Sequence, residues 1–202
     1  EGPIIDMLGD YPEFKYILAL QESVAVGMGE AYARATGKAS FVSLHVDSGL
    51  ANGIALMLDA YNTGTPMVVT SANYDVRKIN EVKTDLAELV RPVTKWAVEL
   101  STPDQIPSVM RRAFNEANTH PKGPVYVGLT SNALEGIADM NIIPSTPAYA
   151  DTPPNPDGII AAVDLILRSS RTVLMVGDRV SDDDAITTAA ELAELIGVPV
   201  YQ

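Results

Sequence analysis

Residues 18–71 read LALQESVAVGMGEAYARATGKASFVSLHVDSGLANGIALMLDAYNTGTPMVVTS, and this stretch decides the fold. The apolar run KYILAL (15–20) stops at Gln21-Glu22 and gives way to small residues at helical spacing, which predicts a strand and then a helix to Arg34. Gly37 supplies a helix stop, and ASFVSLHV (39–46) is β-branched and apolar enough for a buried strand. The unit then repeats. Leu50, Ile54, Leu56, Met57 and Leu58 mark a helix over 48–61, Gly64 and Pro66 mark a loop, and MVVT (67–70) forms the next strand. Short apolar strands alternating with helices predict parallel strands joined by right-handed crossovers, with helices on both faces of the sheet. The fold class is α/β.

Downstream, a helix is expected over about 84–89, interrupted by Arg91-Pro92, followed by an apolar stretch at 96–100. Ser101-Thr102-Pro103-Asp104 combines an N-cap, a first-turn proline and an acid near the positive helix end, which predicts a helix to about Asn118. PVYVGL (124–129) closes the first domain as a strand. Residues 143–156 contain Pro144, Pro147, Pro153, Pro154 and Pro156, which break regular structure and predict a linker. Beyond it come a helix over 158–167, a strand over 173–176, a helix over 184–196 and a strand from 198. Two strands are too few for a stable sheet, so 157–202 is read as the start of a further α/β domain.

The formal net charge of −12 repels polyphosphate backbones and anionic membrane surfaces, so neither nucleic acid nor membrane is an expected partner. No cysteine is present, which excludes disulfides and thiolate metal sites and suits a reducing, cytoplasmic setting. The start EGPIID lacks the pattern of a signal peptide, and no run approaches the ~20 apolar residues of a membrane span.

In parallel α/β folds ligands gather beyond the carboxyl ends of strands, which singles out Glu22, His45 and Ser71. Each has a plain alternative: a first-turn acid is favoured by the helix dipole, and a histidine ending an apolar strand is commonly a hydrogen-bonded rim residue. The turn VDSGLANG (46–53) is built of small residues that admit close backbone approach at a helix start. Neither a G-x-G-x-x-G nor a G-x-x-x-x-G-K-[ST] motif occurs, and no G-x-S-x-G elbow. His45 and His120 are the only histidines, and Asp182-Asp183-Asp184 is explained by a solvated helix start, so no metal site is expected in this chain.

Taken together, the Gln21-Glu22 pair closing a strand, the helix end GEAYARATG (29–37), and Leu44-His45 before the Gly49–Asn52 turn resemble the pyrimidine-binding domain of the thiamine-diphosphate-dependent enzyme superfamily. The resemblance runs from Glu1 to about Asn132, continues into the family's central domain, and is closest to the benzoylformate decarboxylase branch. It implies a pyrimidine-binding domain over 1–142 without the family's first strand and helix, a linker over 143–156, and the start of the central domain over 157–202. It implies that Glu22 bonds N1′ of the cofactor's aminopyrimidine and that His45 moves protons around the substrate's carbonyl. It further implies that Gly49 shapes the backbone beside the cofactor, that Asn52 makes a polar contact, and that Ser71 is a further cofactor contact. Thiamine diphosphate is the implied cofactor, with Mg2+ held by a C-terminal domain, because Gly177-Asp178-Arg179 departs from the family's Gly-Asp-Gly motif. The implied function is a fragment, inactive alone, of a lyase that decarboxylates a small 2-oxo acid in a homodimer or homotetramer. Acetohydroxyacid synthases generally lack the histidine at the position of His45. The alternatives are an acetolactate-synthase-like carboligase and a noncatalytic or separate-subunit pyrimidine-binding module.

Overall fold

The computed structural model describes residues 2–78, 83–144 and 153–202. The chain divides into two compact units, Glu1–Ala150 and Asp151–Gln202. The first contains α1 (Gly2–Met7), α2 (Glu22–Thr36), β1 (Ser40–Leu44), α3 (Ser48–Asn62), β2 (Met67–Asn73), α4 (Leu86–Val90), β3 (Trp96–Leu100), α5 (Ile106–Asn118), β4 (Pro124–Thr130) and α6 (Ser131–Glu135). Its four strands are all parallel, in the order β1-β2-β4-β3.

The two central strands, β2 and β4, are almost wholly buried, and their alternate side chains feed cores on opposite faces of the sheet. Met67, Val69 and Tyr126 pack with Val26, Leu50, Met57 and Leu86 from α2, α3 and α4. Val68, Val125 and Val127 pack with Ala113, Ala117 and Ala133 from α5 and α6. Edge strand β1 buries Ser40, Val42 and Leu44 and exposes Phe41 and Ser43, as expected where only one face is covered.

Local chemistry fixes the helix that matters most for the site. The Gln21 side chain accepts a hydrogen bond from Val24 N at 3.1 Å, which sets Glu22 as the first residue of α2. At the other end Gly37 adopts φ +68°, the left-handed conformation that lets its N–H cap Ala33 O without a Cβ penalty.

Several expectations change in detail. Residues 15–20 form no strand, because no described strand stands beside them to complete a ladder. Tyr16, Ile17, Leu18 and Leu20 are left exposed. The helix expected over 84–89 is α4, capped by the Asp85 side chain on Glu88 N at 2.9 Å. The one expected from Ser101 opens as a 3-10 turn over Pro103–Gln105 before α5. Short helices α1 and α6 were not anticipated.

The second unit contains α7 (Pro156–Arg168), β5 (Leu174–Met175), α8 (Arg179–Asp182), α9 (Ile186–Ile196) and β6 (Val200–Tyr201), with β5 and β6 paired in parallel. The helix expected over 184–196 is α9, which starts two residues later; α8 before it was not expected, and Asp184 between them takes φ +53°. Among its described residues only Ala193 is a buried apolar side chain. Residues 145–152 of the expected linker lie outside the described residues.

One buried polar pair crosses the central strands: Ser71 Oγ and Tyr126 OH stand 2.7 Å apart. Tyr126→Phe leaves the Ser71 hydroxyl unpaired in the core and is expected to cost about 1–3 kcal/mol. Denaturant unfolding of the single variant and of Ser71→Ala/Tyr126→Phe checks this, with the double variant expected to recover part of the loss.

Candidate functional site at the strand rim

Three of the singled-out segments reach the same rim: the start of α2, the end of β1, and the first turns of α3. Glu22 is half-buried at the first position of α2. Asn52, one turn into α3, donates from Nδ2 to Glu22 Oε2 at 3.3 Å. Gly49 is buried between them, and a Cβ built there would stand 2.9 Å from Glu22 Oε1 and 2.7 Å from His45 Cβ. Those distances are shorter than van der Waals contact, so only glycine lets the two site-bearing segments approach this closely. The structure therefore brings Glu22, His45, Gly49 and Asn52 together, with the imidazole-bearing residue on the exposed side.

Ser71 is placed differently. It pairs in register with Leu44, the residue before His45, but its side chain is buried and bonded to Tyr126 rather than to the Glu22 group. Burial, ahead of the lowering effect of the Ser71 bond, pushes the Tyr126 phenol above its usual range, so it stays a neutral hydroxyl.

A cavity of about 210 Å³ opens at this rim, bounded by Tyr16, Ile17 and Leu20 with Glu22 on one side and Ser43 and His45 on the other. Its apolar wall is open, since Leu20 is 95 % exposed and Leu18 69 %. A larger cavity of about 470 Å³ lies between α4 and β3 and includes none of the four gathered residues. Its charges are already engaged: Lys83 pairs with Glu99, and Arg91 with Glu88. The smaller cavity is the chemically relevant one, because it alone joins a carboxyl and an imidazole.

Two features of the rim were not visible in the sequence. Asp47 takes φ +53° and ψ −97°, does not cap α3 with its side chain, and has a buried Oδ1 without a hydrogen-bond partner among the described residues. Asp is among the residues enriched at positive φ, but only the closed turn between β1 and α3 reveals that it is used here. Asn73 and Glu99, at the ends of β2 and β3, form the second feature: Asn73 Nδ2 donates to Glu99 and to Thr84 O. Among the described residues no group of three metal-ligating side chains comes together.

One oxygen of the Glu22 carboxyl is held by Asn52 and the other lies close against Gly49. A parallel α/β domain with its polar side chains gathered at the carboxyl rim is the general class. Residues 1–96 match the family described as thiamine pyrophosphate enzyme, N-terminal TPP binding domain. The chain is 30% identical over 205 residues to benzoylformate decarboxylase of Pseudomonas aeruginosa, covering 98% of this chain and 39% of that protein. It is 28% identical over 208 residues to a probable acetolactate synthase large subunit of Methanocaldococcus jannaschii, covering 98% and 35%. The solved structure of a thiamine diphosphate-dependent 4-hydroxybenzoylformate decarboxylase from Rhodococcus jostii RHA1 superposes with a TM-score of 0.87 at 27% identity, over 98% of this chain and 38% of that one. The chain belongs to the thiamine-diphosphate-dependent enzyme superfamily and carries its N-terminal domain. It spans less than two fifths of the length of these relatives.

Proposed function

We propose that the first unit binds the aminopyrimidine half of thiamine diphosphate within a longer 2-oxo acid decarboxylase, with Glu22 as the ring's carboxyl partner. The observation that carries this reading is the Glu22 carboxyl at the rim, bonded by Asn52 and packed with His45 against Gly49. When bound, the cofactor would supply a nucleophilic thiazolium carbon and a cationic ring able to act as electron sink for loss of CO2. Glu22 would hold a proton at ring N1′, and Asn52 would fix the carboxyl's orientation through Oε2. His45, exposed at the end of β1, would exchange protons with the substrate's carbonyl oxygen. Gly49 would let the ring edge approach the first turn of α3, and Ser71 would act from beneath, through the Tyr126 hydroxyl that it bonds.

In this reading residues 1–142 form the pyrimidine-binding domain and 143–156 the linker, with 157–202 opening the central domain. Mg2+ would be held by a C-terminal domain, and the whole enzyme would be a cytoplasmic homodimer or homotetramer. His45 favours a decarboxylase of an aromatic 2-oxo acid, the substrate class named for two of the relatives. An acetolactate-synthase-like carboligase is the second reading, supported by the archaeal relative. A noncatalytic or separate-subunit module is the third.

Assaying the full-length protein with thiamine diphosphate, Mg2+ and either benzoylformate or pyruvate separates these. The decarboxylase reading expects CO2 and an aromatic aldehyde from benzoylformate. Acyloin formation from pyruvate would transfer the assignment to the carboligase, and turnover of neither would favour the module.

A further inference from the structure

The chain crosses from β1 to α3 between two anchors. Leu44 ends β1 and Leu50 lies in the first turn of α3, and both are buried in the same core. Between them the chain doubles back sharply, and three successive carbonyls accept from the first turn of α3: His45 O from Leu50 N at 3.0 Å, Val46 O from Gly49 N at 3.3 Å, and Asp47 O from Ala51 N at 2.9 Å. At the middle of this path Asp47 takes φ +53° and ψ −97°.

Glycine holds a positive φ at least cost, and among the described residues of the first unit the other positive-φ positions are Gly37 and Gly64. Asp tolerates positive φ mainly in the left-handed helical region, where its side chain bonds the backbone nearby. Asp47 has neither advantage. Its ψ lies far outside that region, its side chain makes no cap bond, and its buried Oδ1 has no hydrogen-bond partner among the described residues. The two anchors and the three carbonyl bonds therefore impose the conformation, and strain of this kind persists only where its surroundings over-determine it.

The turn fixes the spacing of the two groups read as reactive. A Cβ built at Gly49 would stand 2.7 Å from His45 Cβ and 2.9 Å from Glu22 Oε1, so both residues converge on one point of α3. We propose that Asp47 is a positioning residue for this pair: its strained backbone, rather than its carboxyl, holds His45 against Gly49 beside the Glu22 carboxyl. This assignment rests on the reading of Glu22 and His45 as proton-transfer groups, and adds what aligns them. A residue that refuses positive φ turns the peptides on either side of position 47 and releases the His45 carbonyl from Leu50 N. Strand β1 is bonded to β2 alone among the described strands, so its end then moves freely, and His45 moves with it.

The test compares Asp47→Val and Asp47→Gly in the full-length protein, by crystal structures without cofactor and by steady-state kinetics with it. Valine is branched at Cβ and resists positive φ, whereas glycine accepts it. In Asp47→Val, His45 Cβ should shift by about 1 Å or more relative to Gly49, and kcat should fall about 10²-fold with KM for the 2-oxo acid within about threefold. Asp47→Gly should restore the native position to within about 0.5 Å and kcat to within about threefold. Asp47→Thr, branched but polar, stands in if the valine variant does not fold. An unmoved His45 in the branched variant overturns the proposal. So does a loss in Asp47→Gly equal to that in the branched variant, which would assign the role to the carboxyl. A shifted His45 with unchanged kcat would uphold the positioning and remove His45 from the proposed chemistry, so the two readings fail separately.

Discussion

Glu22→Gln in the full-length enzyme is expected to lower kcat/KM by about 10²–10⁴-fold, the range for loss of a positioned proton-transfer group. The substitution is close to isosteric, and the amide oxygen still accepts from Asn52, so the rim keeps its shape. What disappears is the group able to exchange a proton with the ring nitrogen. Loss of a first-turn negative charge on α2 should cost only about 0.3–1 kcal/mol of stability. Steady-state kinetics at saturating cofactor, beside a melting curve, separate the two effects. Turnover within about twofold of the native enzyme would remove Glu22 from the chemistry.

Gly49→Ala is expected to have the second largest effect, and for a different reason. Its new methyl would stand 2.7 Å from His45 Cβ and 2.9 Å from Glu22 Oε1. The Glu22 carboxyl is the end of a flexible side chain and can swing aside. His45 Cβ is attached to the backbone and can move only with the β1–α3 turn, which already holds Asp47 at φ +53°. A shift of about 1 Å at a reacting group commonly costs about 10²-fold in rate, while overpacking of this size costs about 1–3 kcal/mol in stability. The measured outcome should be a fall in kcat/KM far larger than the stability loss explains, on a protein still folded at the assay temperature. Unchanged kinetics would mean that the close approach at Gly49 does not set the geometry of the reacting groups.

Elements buried on both sides were the most legible. β2 and β4 read as continuous apolar runs because their side chains enter two cores at once, and no rearrangement of neighbours alters that pattern. Residues 15–20 have an equally apolar pattern but no described ladder partner, and strand formation is a property of the pair rather than of the run. Helices α1 and α6 are six and five residues long, too short for an apolar period to repeat. Asp184 separates α8 from α9 and Asp47 turns the chain from β1 into α3, both at positive φ.

The same distinction governs the site. His45 follows from counting residues beyond a parallel strand; Glu22 was placed by the same count after a run, 15–20, that forms no strand, and Gly49 and Asn52 came from the small-residue turn and the family resemblance. Ser71 satisfies the same count. Its position on a central strand turns its hydroxyl inward to Tyr126, which a one-dimensional pattern does not reveal.

The most direct measurement is a crystal structure of the full-length protein with thiamine diphosphate and Mg2+. The account predicts a Glu22 carboxyl oxygen about 2.6–3.2 Å from ring N1′, with the ring edge over Gly49. A pyrimidine ring bound away from Glu22, with that carboxyl turned to solvent, would contradict it.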